Sequence, residues 1–177
     1  MPKSWKVFWD LQCPYSKNNW KNLESIKTRF GSEYNFSVHL TSLAFHPQAF
    51  DAQSAASLIE GVKGTEAKMK FVNACFENQE SYMNAALGDC KKSEVDAALA
   101  AVAEKAGVFD EDFTKEIFLR DLHDWEKAVK PAYTEHKFAL GYGVYGTPKQ
   151  VIEDKLVPDT ESAWGPDEWA EKLKTLE

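Results

Sequence analysis

Cys13, Pro14, Tyr15 and Ser16 stand where an apolar segment, Trp5-Lys6-Val7-Phe8-Trp9, gives way to an amphipathic run that begins at Pro14. Proline suits the first helical position because its missing N–H costs no intrahelical bond, so Cys13 is expected to cap that helix and face its free amides. The positive end of the helix dipole favours thiolate over thiol, and the thiolate is the nucleophile of sulfur chemistry. The expected reaction is attack on a sulfur electrophile to form a mixed disulfide. Ser16 occupies the place where a dithiol motif would carry its second sulfur. Its hydroxyl can donate a hydrogen bond to the Cys13 thiolate but cannot resolve a mixed disulfide, so the motif predicts chemistry with one sulfur. Tyr15 and Pro14 are expected to border the substrate.

The elements that must position this motif follow from periodicity. Residues 5–11 are aromatic and branched, as a short buried strand requires. Trp20, Leu23, Ile26 and Phe30 recur at three- and four-residue spacing, giving a helix from Pro14 to about Phe30 that Gly31 is placed to stop. Residues 35–41 alternate, with Phe36, Val38 and Leu40 on one side of a second strand. Strand, helix and strand in succession make a βαβ unit with parallel strands, and Cys13 falls at the C-terminal edge of its first strand.

Residues 47–140 read as almost wholly helical. The segments expected are 49–62, 65–87, a third opening at Ser93 with Asp96 as a capping-box partner, and a fourth led by Asp110, Glu111 and Asp112. In the fourth, Phe113, Ile117, Leu122, Trp125 and Val129 are expected to point inward before Pro131 kinks or restarts the helix. Strand signals then return: Val151-Ile152 and Leu156-Val157 suit a hairpin turning at residues 153–155, and Pro166 opens a last helix with Trp169, Leu173 and Leu176 as its buried face.

The chain has 177 residues and a net charge of −7, from 28 acidic and 21 basic side chains with the basic ones dispersed. That argues against nucleic acid and anionic membrane as partners. Three cysteines, Cys13, Cys75 and Cys90, do not read as a secreted disulfide framework; with neither a signal-peptide core nor a membrane-length apolar run, a cytoplasmic protein is expected. Cys75 sits on the apolar stripe of a helix and reads as an inert buried thiol, and Cys90 lies in a turn. His39, His46, His123 and His136 form no metal or catalytic constellation, and each reads as structural or solvent-facing. Asp10 is the best candidate for a charge near the thiol.

Four features together, Phe8-Trp9-Asp10-Leu11-Gln12-Cys13-Pro14-Tyr15-Ser16, the helical block, Gly143-Val144-Tyr145-Gly146-Thr147-Pro148 and the closing hairpin and helix, resemble the DsbA-like branch of the thioredoxin superfamily. The resemblance spans essentially the whole chain. It implies an α/β thioredoxin fold, β-α-β … β-β-α, divided as 1–46 (βαβ half), 47–140 (all-helical insertion) and 141–177 (ββα half). It also implies that Pro148 is a cis-proline facing Cys13, and that Thr147 offers its backbone to an extended peptide or to glutathione.

Oxidases of this branch carry a Cys-x-x-Cys pair, so Ser16 excludes their dithiol mechanism. The expected activity is monothiol thiol-disulfide exchange, with protein thiols or disulfides as partners, glutathione as a co-substrate, and no tightly bound cofactor or metal. Pro-Tyr-Ser also resembles kappa-class glutathione transferases and their isomerase relatives, which use a serine where this chain has Cys13. A glutathione transferase or isomerase, and a non-catalytic peptide-binding module, are the alternative readings.

Overall fold

A computed structural model describes residues 2–83 and 87–176. Strand β1 (Lys3–Trp9) runs through the middle of a four-stranded sheet ordered β2-β1-β3-β4. It pairs in parallel with β2 (Tyr34–Leu40), Lys3 opposite Tyr34 and Trp9 opposite Leu40, and antiparallel with β3 (Lys149–Ile152). Glu153 and Asp154, both at positive φ, form the two-residue turn to β4 (Lys155–Leu156). The turn is thus shorter than the spacing predicts, and Lys155 already belongs to the strand. Two consecutive positive φ values match the right-handed twist of a hairpin.

The two faces of β1 bury different partners, because successive side chains point to opposite sides. Trp5, Val7 and Trp9 face α1 (Pro14–Phe30), packing with Leu23, Ile26 and Phe30. Trp169 of α7 (Pro166–Lys174) closes this layer, its ring 4.8 Å from that of Trp5. The indoles of Trp5 and Trp9 bury their N–H groups on Gln150 Oε1 (3.2 Å) and Asn19 Oδ1 (2.8 Å), which satisfies the two donors the core would otherwise strand. On the opposite face Phe8 packs with Ala139, Val144 and Val151.

Between β2 and β3 lie α2 (Ala49–Lys63), α3 (Thr65–Glu77), a 3₁₀ turn (Gln79–Ser81), α4 (Lys92–Lys105), α5 (Lys115–Asp121), a π-helical turn (Trp125–Val129) and α6 (Lys130–Gly141). Phe76 joins this block to the sheet core, its ring edge-on to Trp9 at 5.3 Å. Among the described residues no helix is long and apolar enough to cross a membrane.

Several boundaries differ from the expected ones. Helix α3 ends at Glu77 and not near residue 87, because Asn78 leaves helical φ/ψ and its Nδ2 donates back to the Ala74 carbonyl at 2.9 Å; residues 84–86 lie outside the described residues. Helix α4 opens one residue before Ser93, and Glu94, not Asp96, accepts from the Lys91 N–H at 2.6 Å. Asp110 does not start α5. Its carboxylate accepts the Asp112 and Phe113 amides in a turn, and Thr114 caps the helix by accepting from Ile117 N–H. Trp125 and Leu176, expected inside, are 55% and 42% exposed. Trp125 sits in the π turn, whose altered period rotates it off the buried stripe, and α7 ends at Lys174, before Leu176 can join its face. Pro131 stands where the π turn passes into α6, a junction that does not need its missing N–H.

Candidate active site

Cys13 is the N-cap of α1, with extended backbone (φ −78°, ψ 121°) and Pro14 at the first helical position. The 11–13 segment that carries it is short and polar in its bonding: Cys13 N–H donates to the Asp10 carbonyl (3.1 Å), and Lys17 N–H opens the helix by donating to the Cys13 carbonyl (3.2 Å). The thiol does not cap the helix, contrary to expectation. It donates to the Thr147 carbonyl oxygen at 3.3 Å. A neutral thiol has a proton to give, and a carbonyl accepts it where amides cannot.

Thr147 therefore lies against the sulfur, and a cis peptide bond joins it to Pro148. Thr147 N–H makes no backbone hydrogen bond among the described residues, and its Oγ1 is buried without a partner. Cys13 itself is only 3% exposed. Tyr15, two residues further on, projects into solvent at 62% exposure, and Pro14 is exposed beside it.

Ser16 is fully buried and corrects a second expectation. Its Oγ accepts from the Asp10 amide at 3.2 Å. That amide has left the strand ladder at the end of β1 and needs an acceptor, so the hydroxyl bonds the loop and not the sulfur.

Asp10 also turns away from the thiol. Its buried carboxylate accepts from Gln12 N–H (2.7 Å) and Leu43 N–H (2.7 Å), and its Oδ2 meets His46 Nδ1 at 2.9 Å. His46 lines a groove of about 470 Å³ with Leu43, Phe50, His136, Val144 and Tyr145.

Residues from the helical block brace the Cys13 loop, and none of them is marked by the local sequence. Gln79 Nε2 donates to the carbonyls of Leu11 (2.9 Å) and Cys13 (3.1 Å), and Tyr82 OH donates to Leu11 at 2.6 Å. Gln48 N–H donates to Gln12 Oε1 at 3.1 Å, and the Gln12 amide donates back to Gln48 Oε1. A buried polar side chain is the only signal such residues carry, and burial is decided by the fold.

Cys75 is buried in α3, where burial pushes its thiol pKa up. Cys90 is free and half-buried. His123 pairs with Asp96 at 2.9 Å, and His39 lies between the rings of Phe8 and Phe138. Among the described residues no group of three His, Cys, Asp or Glu could hold a metal ion.

No family model and no curated protein matches the sequence. Solved structures do. A Pseudomonas syringae protein assigned provisionally as a protein-disulfide isomerase superposes with a TM-score of 0.78 at 16% identity, over 97% of this chain and 93% of its own. Oxidised BdbD of Bacillus subtilis follows at 0.69 and 18%, over 98% and 86% of the two chains. DsbA of Pseudomonas aeruginosa reaches 0.63 and 21%, over 98% and 81%. The chain accordingly has the fold of the DsbA-like thiol-disulfide oxidoreductases of the thioredoxin superfamily, with its helical block between β2 and β3.

Proposed function

We propose that the protein carries out thiol-disulfide exchange through Cys13 alone, by a mixed disulfide that an external thiol, glutathione, releases. The observation that carries this reading is the contact between the Cys13 sulfur and the Thr147 carbonyl, beside a Thr147 N–H and Oγ1 that have no hydrogen-bond partner among the described residues. An extended backbone aligned with Thr147 would satisfy these groups and bring its own sulfur to Cys13. Cys13 and Ser16 would be the reactive thiol and the brace of its loop; Pro14, Tyr15, Thr147 and Pro148 would border the substrate. Protein thiols and disulfides, or glutathione itself, are the partners this reading needs, in a cytoplasmic setting where glutathione is abundant.

Mass spectrometry after incubation with glutathione disulfide tests it. One glutathione adduct is expected, absent in Cys13→Ser and removed by free thiol. An unmodified wild-type protein after prolonged exposure would refute the reading.

The 3% exposure of Cys13 favours a second reading, a peptide-binding module without chemistry. Saturable binding of an unfolded peptide by Cys13→Ser, together with an unreactive wild-type thiol, would decide for it.

A further inference from the structure

A second polar cluster lies on facing helices, away from Cys13. Ser57 and Glu60 stand three residues apart on α2, and Pro131, Thr134, Glu135 and Phe138 recur at three- and four-residue spacing on α6, so each set shares one helical face. Together with His39 of β2 they line a hollow of about 640 Å³. The hollow shares no residue with the groove of His46 or with the Cys13 loop. We infer that it binds an organic monocation, an ammonium head on a compact apolar body, with Ser57, Glu60 and Glu135 taking the head and Pro131 and Phe138 the body.

The charges leave room for one cation. Glu126, at the rim, is matched by Lys130 at 2.7 Å. Lys68, whose side chain is 6% exposed, lies between Glu60 (2.7 Å) and Glu135 (3.0 Å) and can neutralise only one of them. Its ammonium keeps Glu135 a carboxylate against the burial that raises the Glu135 pKa. Lys6 and Lys27, the other lysines near the cluster, are bonded to carboxylates of their own, Asp154 and Glu24. Burial lowers the pKa of His39 to about 4, so its ring adds apolar wall and no charge at neutral pH. One negative charge of the Glu60–Glu135 pair is thus without a counter-charge.

Hydrogen bonding is incomplete at the same place. Glu135 Oε2 is buried without a hydrogen bond, and the pull of the Leu40 amide on this carboxylate falls short of one. Ser57 is 5% exposed and its Oγ has no hydrogen-bond partner among the described residues. That oxygen is not sealed from solvent, and the hollow is the space that reaches it. An ammonium ion brings three donors and no acceptor, which suits a carboxylate and a hydroxyl. The rest of the lining is mainly apolar. Phe138 packs on His39 at 5.0 Å and on Phe8 at 6.1 Å, yet stays 39% exposed, so its ring offers both contact area and a face for a cation. A few convergent polar groups in a mainly apolar hollow are the usual form of a small-molecule site.

Benzylamine is the probe, with benzyl alcohol and phenylacetate as its neutral and anionic counterparts. Each is titrated at neutral pH into the full chain labelled with ¹⁵N, and amide shifts are followed by NMR. Benzylamine should bind saturably, with a dissociation constant on the order of 1 mM, and shift the amides of Ser57, Thr134 and Phe138. Glu135→Gln should weaken it at least about fivefold, since the spare charge is then gone. Thr134→Trp, a change at an exposed helix position that fills the hollow and spares the ion pairs, should abolish binding. It also decides the matter should Glu135→Gln fail to fold. Equal binding of benzyl alcohol or phenylacetate, shifts scattered over the acidic surface, binding that survives Thr134→Trp, or no saturable shift at about tenfold the expected constant would each overturn the proposal. None of these results bears on exchange at Cys13.

Discussion

Gln79 Nε2 lies 3.1 Å from the Cys13 carbonyl oxygen, across 66 residues of chain, and 2.9 Å from that of Leu11. One side chain of the helical block thus satisfies two carbonyls of the loop that carries the thiol. Gln79→Ala leaves both buried oxygens without this donor and is expected to cost about 1–3 kcal/mol. Tyr82→Phe, which removes the 2.6 Å bond to Leu11, is expected to cost about 1 kcal/mol. Urea unfolding midpoints check both values, and unchanged midpoints would show that the loop does not depend on this brace.

Ser16 accepts from a buried amide, so its removal is felt in stability before chemistry. Ser16→Ala is expected to destabilise the fold by about 1–3 kcal/mol, again read from urea midpoints. Ser16→Cys sets a second sulfur one helical turn from Cys13. Oxidation should then close an intramolecular disulfide, seen as the loss of two hydrogens in the mass of the intact protein. A variant that stays a dithiol under oxidant would show that the two positions cannot meet.

Cys75 is buried and burial pushes its thiol pKa up, so thiolate is scarce there and reagents cannot reach it. Iodoacetamide should leave Cys75 unmodified in the folded protein and label it fully in urea, as peptide mapping will read. Labelling of Cys75 under native conditions would contradict its place in the α3 core.

His39 stacks on Phe8 at 5.3 Å, and burial, aided by the charges of Lys68 and Lys6, lowers its pKa to about 4. The unfolded chain, with an ordinary histidine pKa near 6.5, therefore binds the proton first. Stability from the neutral ring is complete above that value and is lost as pH falls from about 6.5 towards 4, by no more than about 3 kcal/mol. Glu135 acts in the opposite sense. Burial raises its pKa against the pull of Lys68, so its contribution favours the folded state at low pH and fades as pH rises. Thermal melts between pH 7 and 4 for wild type and His39→Gln isolate the histidine. The variant should lose less stability on acidification, and parallel curves would refute the assignment.

The chain order β-α-β, helices, β-β-α was legible because apolar spacing changes period at Pro14, near residue 34 and after Gly146, and the structure places β1, α1, β2, β3 and α7 accordingly. Helix ends were less legible. Asn78, Asp110 and the π turn at Trp125 end or displace helices through individual side-chain and backbone bonds that a periodic pattern does not contain.

By itself the sequence determined that a single cysteine stands at the N-cap position of a helix at the end of a buried strand, since Pro14 and the apolar runs around it act locally. Only the tertiary structure decided where that sulfur points. Its partner Thr147 stands 134 residues away, and Asp10, His46, Gln12, Gln48, Gln79 and Tyr82 come together around the loop through burial. A buried polar group must find a partner, but which partner it finds depends on which distant segments the core brings within 3 Å of it, and no local pattern encodes that.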